Sequence, residues 1–157
     1  LFHGPTMAFK DVGARFMARC LGYFNKNNNN EVTVLVATSG DTGAAVANGF
    51  LGVKNVKVVI LYPSGKVSAI QEKQLTTLGQ NISALEVKGT FDDCQAMVKT
   101  AFLDKKLTDM MQLTSANSIN VARWLPQLFY FMFLFYHKIL CIAGISKDII
   151  PYKLCCL

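Results

Sequence analysis

Apolar residues recur at Val12, Phe16, Met17, Cys20, Leu21 and Phe24, the spacing of a helix with one buried face. A polar run, Asn25 to Asn30, follows and reads as a loop. Val32 to Ala37 is short, apolar and rich in β-branched residues, which suits a strand covered on both sides of a parallel sheet. Thr38 to Gly43 predicts a tight loop, and a helix follows through Phe50, with Ala44, Ala45 and Ala47 permitting close packing. The unit then repeats. Val56–Leu61 is a strand, Pro63-Ser64-Gly65 a loop and Val67–Leu78 a helix. Ile82–Val87 is a strand, and Phe91–Phe102 a helix carrying Phe91, Cys94, Val98 and Phe102 on one face. Gln112-Leu113-Thr114 is a short strand, with a helix from Ser118 onward. Strands alternating with helices predict an α/β fold: an open, mainly parallel sheet with flanking helices and right-handed crossovers.

The pattern changes beyond Leu128. Leu128 to Tyr136 is unbroken and apolar, His137-Lys138 interrupts, and Ile139 to Ile145 continues. A membrane span needs about 18 or more nearly uncharged residues, so this segment reads as a core helix followed by sequence outside the fold. The expected division is 1–136 as the folded unit and 137–157 as a divergent tail. The length of 157 residues suits one domain. Hydrophobic residues reach 52% and charged residues only 17%, against about 45–50% and ~25% in ordinary domains. That excess points to apolar surface awaiting a contact.

The net charge is +6, yet the lysine pairs Lys54/Lys57 and Lys105/Lys106 are separated by apolar strands and acidic residues. Nucleic-acid binders gather such charge on one face, so no nucleic-acid partner is expected. Five cysteines, three of them near the end (Cys141, Cys155, Cys156), fit neither a disulfide framework nor a zinc site. Cys20 and Cys94 fall on apolar helical faces, and a reducing cytoplasm is the expected setting. The chain opens on Leu1 and is expected to begin inside a longer reading frame or after processing.

Two segments could carry chemistry. In His3-Gly4-Pro5-Thr6-Met7-Ala8-Phe9-Lys10-Asp11 a Gly-Pro turn leads to a lysine just before a helix. The positive end of a helix disfavours the ammonium form, and burial among Phe2, Met7 and Phe9 would disfavour it further. Both favour a nucleophilic amine. The alternative is a surface lysine beside an N-capping Asp11. The second segment is Ser39-Gly40-Asp41-Thr42-Gly43, between strand and helix. Its glycines allow close backbone approach, and free N–H groups at a helix start favour a carboxylate or phosphate. A plain N-cap by Asp or Thr is the alternative.

Together these segments carry a resemblance. Leu1-Phe2-His3-Gly4-Pro5-Thr6 with Phe9-Lys10-Asp11 resembles the pyridoxal 5'-phosphate (PLP) lysine segment of the threonine synthase family. Ala37 to Ala45 resembles its substrate loop, and Ser115-Ala116-Asn117-Ser118-Ile119-Asn120 with Arg123 and Leu125-Pro126-Gln127 resembles a third segment. Order and separation fit from Leu1 to Gln127. Threonine synthase-like phospho-lyases share much of this pattern.

The resemblance implies part of a type II PLP-enzyme (tryptophan synthase beta-like) fold and a lyase of threonine biosynthesis. Such an enzyme converts O-phospho-L-homoserine and water to L-threonine and phosphate. It implies Lys10 as the Schiff-base lysine and proton shuttle. Asp41 and Asn117 would lie near the cofactor, and His3 would shape the lysine loop. Ser39, Gly40, Thr42 and Gly43 would take the substrate carboxylate, with Ser118 and Asn120 as further substrate contacts. Asp41 stands where related enzymes often carry Asn. The family's upstream segment and its glycine-rich cup for the cofactor phosphate have no counterpart in this sequence. After Gly89 only Gly144 remains. Feeble PLP affinity and little turnover are therefore expected of the isolated chain, and a non-catalytic binding or signalling role for a truncated enzyme domain stays open.

Overall fold

The computed structural model of the chain describes residues 4–26, 31–117 and 120–142, the last three by their backbone alone. The elements run α1 (Lys10–Phe24), β1 (Val32–Ala37), α2 (Asp41–Phe50), β2 (Val56–Pro63), α3 (Ala69–Thr76) and β3 (Ile82–Val87), then α4 (Phe91–Leu103), α5 (Lys105–Met110), β4 (Gln112–Ser115) and α6 (Val121–Ile142). The four strands form one parallel sheet in the order β3-β2-β1-β4. This is the open parallel sheet that the alternation predicts.

β1 lies at the centre because its side chains are apolar or small on both faces, and all six are buried. Its Val34 and Val36 join Val58, Ile60 and Tyr62 of β2 in a core under α1 and α2, around Phe50. Leu35 and Ala37 point the other way and meet Leu61 of β2 with Cys94 and Val98 of α4. The register Val34↔Val58 and Leu35↔Val59 keeps each face continuous across the two strands, as strict alternation in a strand requires.

The chain crosses from β1 to β2 and β3 on one side, then returns to place β4 on the other side of β1. The order therefore reverses between β1 and β4. A crevice opens beyond the carboxyl ends of strands at such a switch point, and ligands of open α/β sheets bind there.

Two expectations need correction, and one further helix is present. In α1 the buried face is Gly13, Ala14, Met17 and Ala18, while Val12, Phe16 and Phe24 are exposed. Small residues win here because α1 crosses two helices closely. A Cβ on Gly13 would stand 2.2 Å from the Arg123 carbonyl oxygen of α6. The short helix α5 has too few turns to show a periodicity; Asp104 starts it by accepting from the N–H groups of Lys106 and Leu107.

The other correction is to α6, which passes through His137-Lys138 to Ile142 without a break. Nor is its apolar stretch core: Leu128, Phe129, Phe131, Met132, Phe133, Leu134, Phe135 and Tyr136 are all exposed. Half of the exposed large apolar side chains among the described residues lie on this helix. Among the described residues no helix is long and apolar enough to cross a membrane.

Phe50 is fully buried at the centre of the larger core. Phe50→Ala is expected to lower unfolding stability by about 3–5 kcal/mol, read from urea denaturation of the chain.

Candidate active site

The loop after β1 is built around one hydroxyl. Thr38 is buried, and its Oγ1 accepts the N–H of Gly40 at 3.0 Å and the N–H of Gly43 at 2.9 Å. The same oxygen donates to the Gly40 carbonyl at 3.0 Å. A threonine that ends a strand can turn the chain in this way, as its side chain replaces a backbone partner. Gly40 sits at φ 154, ψ −106, a region open only to glycine. Its turn aims the start of α2 at the switch-point crevice. Neither Asp41 nor Thr42 caps α2: Gly40 is the N-cap and offers no side chain.

The hydrogen bonds divide the loop's donors. Gly40 and Gly43 spend their N–H groups on Thr38, and Gly43 also reaches the Gly40 carbonyl at 3.1 Å. Among the described residues, no bond of this kind engages the N–H groups of Ser39, Asp41 or Thr42. Those three, with the hydroxyls of Ser39 and Thr42, are the loop's donors toward a ligand. The two glycines supply shape.

Lys10 reaches the same place from α1. It is the first residue of that helix, not a residue before it. The preceding turn closes with Met7 N–H on the Gly4 carbonyl at 3.1 Å, and Met7 is held at φ 58. Asp11 fastens the turn to the helix. Its buried carboxylate accepts the Thr6 N–H at 3.0 Å and the Thr6 hydroxyl at 2.5 Å. So Asp11 is no N-cap; Phe9 holds that position without a side-chain bond. A Cβ on Gly4 would stand 2.0 Å from the Asp11 carboxylate, so only glycine fits. The expected apolar blanket over the lysine is not formed by Met7 and Phe9, which are 78% and 47% exposed. Phe9 instead lays its ring near the amine, with Nζ 5.5 Å from the ring centroid.

Arg123 of α6 braces this corner. It is 2% exposed and donates from Nη1 to the Ala116 carbonyl at 3.0 Å. Burial pulls its guanidinium below the ordinary value, opposed by the negative charge of Asp11. Tyr130 donates to the Phe9 carbonyl at 3.5 Å. Burial and then Asp11 push its phenol up.

These pieces converge on one cavity of about 290 Å³ at the carboxyl end of β1. Lys10, Ser39, Gly40, Asp41, Thr42 and Asn117 all line it, together with Ala37, Thr38, Gln71, Phe91 and Gln95. A neighbouring hollow of about 610 Å³ shares Ala37, Gln95 and Asn117 and adds Val98, Phe102 and Leu103. Asn117 carries a buried Oδ1 that has no hydrogen-bond partner among the described residues. Asn120 does not join the cavity lining. Its amide donates to the Ser115 carbonyl at 3.0 Å and its Oδ1 accepts the Ala122 N–H at 3.0 Å, which starts α6. His3 and Ser118 lie outside the described residues.

Gln71 and Gln95 were not singled out from the sequence, Phe91 was read only as part of a helix face, and Thr38 only as part of the loop. For Thr38 a signal existed, a strand-ending threonine two residues before a glycine. For the other three none did, since α3 and α4 meet the loop only through the fold.

The residues present fit a pyridoxal cofactor in kind. An amine, unspent N–H donors at a helix start and an orphaned amide oxygen face one space, beside an apolar hollow for a ring. Among the described residues no group of three or more His, Cys, Asp or Glu is placed to hold a metal.

Comparison with known proteins agrees. The family described as "Pyridoxal-phosphate dependent enzyme" matches residues 1–125. Threonine synthase of Buchnera aphidicola (subsp. Acyrthosiphon pisum) is 61% identical over 131 residues, 83% of this chain and 30% of the relative. The yeast Saccharomyces cerevisiae enzyme is 46% identical over 145 residues, 87% of this chain and 28% of its own length. The crystal structure of threonine synthase from Escherichia coli superposes with a TM-score of 0.78 at 57% identity, covering 83% of this chain and 30% of that one. The PLP-bound threonine synthase from Brucella melitensis gives 0.77 at 45% identity, covering 83% and 28%. The chain thus spans less than a third of the length of the relatives named here. It belongs to the pyridoxal-phosphate-dependent enzyme family, as a segment homologous to threonine synthases.

Proposed function

We propose that this chain supplies the lysine and substrate-loop half of a threonine synthase active site, in a cytoplasmic enzyme that turns O-phospho-L-homoserine and water into L-threonine and phosphate. One observation carries the reading: Lys10 and the Ser39–Thr42 loop, far apart in sequence, line a single cavity at the switch point.

Lys10 Nζ would hold the cofactor through its aldehyde carbon and would take and return protons at the substrate carbons. The cofactor, when bound, supplies the electron sink for this chemistry. The N–H groups of Ser39, Asp41 and Thr42, with the Ser39 and Thr42 hydroxyls, orient the substrate carboxylate at the positive end of α2. Gly40 and Gly43 let the backbone take that shape. Asn117 offers its unpartnered Oδ1 to a donor on the ligand. Ser118 and Asn120 stand beside it in sequence; Asn120 acts by fixing the turn into α6. Asp11, Thr6 and Arg123 hold the lysine corner rigid.

Residues 137–157 are read as lying outside the family fold, a reading that rests on the change of composition along the chain there. The sequence's want of a glycine-rich phosphate cup supports low cofactor affinity for the chain on its own, since a ring of N–H donors is what anchors a phosphate dianion.

Adding PLP to the chain is expected to produce a new absorbance band that Lys10→Ala abolishes. Borohydride reduction and peptide mapping should place the label on Lys10; a label on another lysine defeats the assignment. Thr38→Val, which keeps the shape and removes the acceptor of two buried N–H groups, is expected to lose most of the PLP response. It should cost about 1–3 kcal/mol of stability, whereas Thr38→Ser keeps both properties. Equal spectra for the two variants would refute the role of the hydroxyl.

A further inference from the structure

Gln71 enters the cavity from α3. Its Nε2 donates to Asp41 Oδ1 at 2.8 Å, and its Oε1 accepts from the Ser68 hydroxyl at 2.9 Å. Ser68 is the N-cap of α3 and also accepts the Gln71 N–H at 3.4 Å. The Asp41 carboxylate only accepts, and this settles which way the amide faces: Nε2 points to the loop and Oε1 to Ser68. Gln71 also lies directly against the glycine turn: a Cβ on Gly40 would stand 2.5 Å from Gln71 Nε2.

The consequence is electrostatic. Asp41 lines the cavity between two of the donors that face a ligand. An ionised carboxylate only accepts hydrogen bonds, and a ligand carboxylate beside it meets a like charge. A donor that engages Oδ1 from the α3 side draws the charge away from the ligand and offsets part of it.

We propose that Gln71 is a positioning and specificity residue. Through the Ser68–Gln71–Asp41 chain it turns the Asp41 carboxylate toward α3 and so permits the loop to accept an anionic amino-acid carboxylate. This rests on the reading of the loop as the carboxylate subsite. It assigns a role to a residue which that reading leaves idle.

The test uses the full chain labelled with nitrogen-15 and follows the backbone amides of Gly40, Thr42 and Gly43. The probes are L-homoserine and L-homoserinamide, identical but for the carboxylate charge. L-Homoserine is expected to shift these amides, with roughly tenfold weaker affinity in Gln71→Glu, since a hydrogen bond to a charged group is lost and a like charge added. The response to L-homoserinamide should change little. Gln71→Met, uncharged, is run in parallel and is expected to lose about threefold for L-homoserine alone. The exchange Asp41→Asn with Gln71→Glu rebuilds the donor–acceptor pair in reverse and should recover most of the affinity. Equal L-homoserine affinity in all variants overturns the proposal, as does an equal loss for both probes, which would mark a structural effect. Absence of any loop response in the unsubstituted chain overturns it too. The borohydride label on Lys10, measured separately, shows whether the wider reading survives that outcome.

Discussion

The Thr38 hydroxyl accepts two backbone N–H groups and donates to one carbonyl, all within its own loop. This small network is buried at the end of a strand whose six residues are themselves buried. A buried donor without a partner is costly, so the loop has little freedom to take another path. The fixed path decides which N–H groups are consumed and which remain. Gly40 and Gly43 are used up; Ser39, Asp41 and Thr42 face the cavity. The anion-binding character of the site therefore follows from the internal satisfaction of its neighbours.

A second network does the same for the lysine. Asp11 binds Thr6 twice from inside α1, and the Arg123 charge stands behind it in the interior. Lys10 is one residue from this anchor, which sets its direction without touching its amine. Lys10 and the Thr38 loop line one cavity at the place where the strand order reverses. Rigid parts on separate elements can thus present an amine and an anion cradle to one space, the preorganisation that catalysis draws on.

Away from this corner the chain leaves apolar surface uncovered. The aromatic stretch of α6 is exposed. Its first turns pack against α1 through Gly13 and the buried Arg123, where small residues permit a close crossing, while Val121, Trp124 and Leu125 stay exposed. Side-chain apolarity did not predict burial here. Val12 and Phe16 are apolar and exposed, whereas Gly13 and Asp11 are buried.

Strand and helix order apart from the short α5, the parallel sheet, the α4 face of Cys94 and Val98, the Lys10 segment and the glycine loop were all legible in the sequence. Each is written in local patterning: β-branched runs, helical spacing and turn chemistry act over a few residues. The family likeness of three spaced segments was legible for the same reason. Tertiary structure alone decided that Gly40 and Gly43 spend their N–H groups internally, and that Asn120 starts a helix instead of lining the cavity. It also placed Gln71, Phe91 and Gln95 beside a loop that lies 30 or more positions earlier in the chain. Those facts depend on which helices the sheet order brings together. A hydrogen bond such as Gln71 to Asp41 leaves no periodic trace in a sequence, because its two ends share only a place in space.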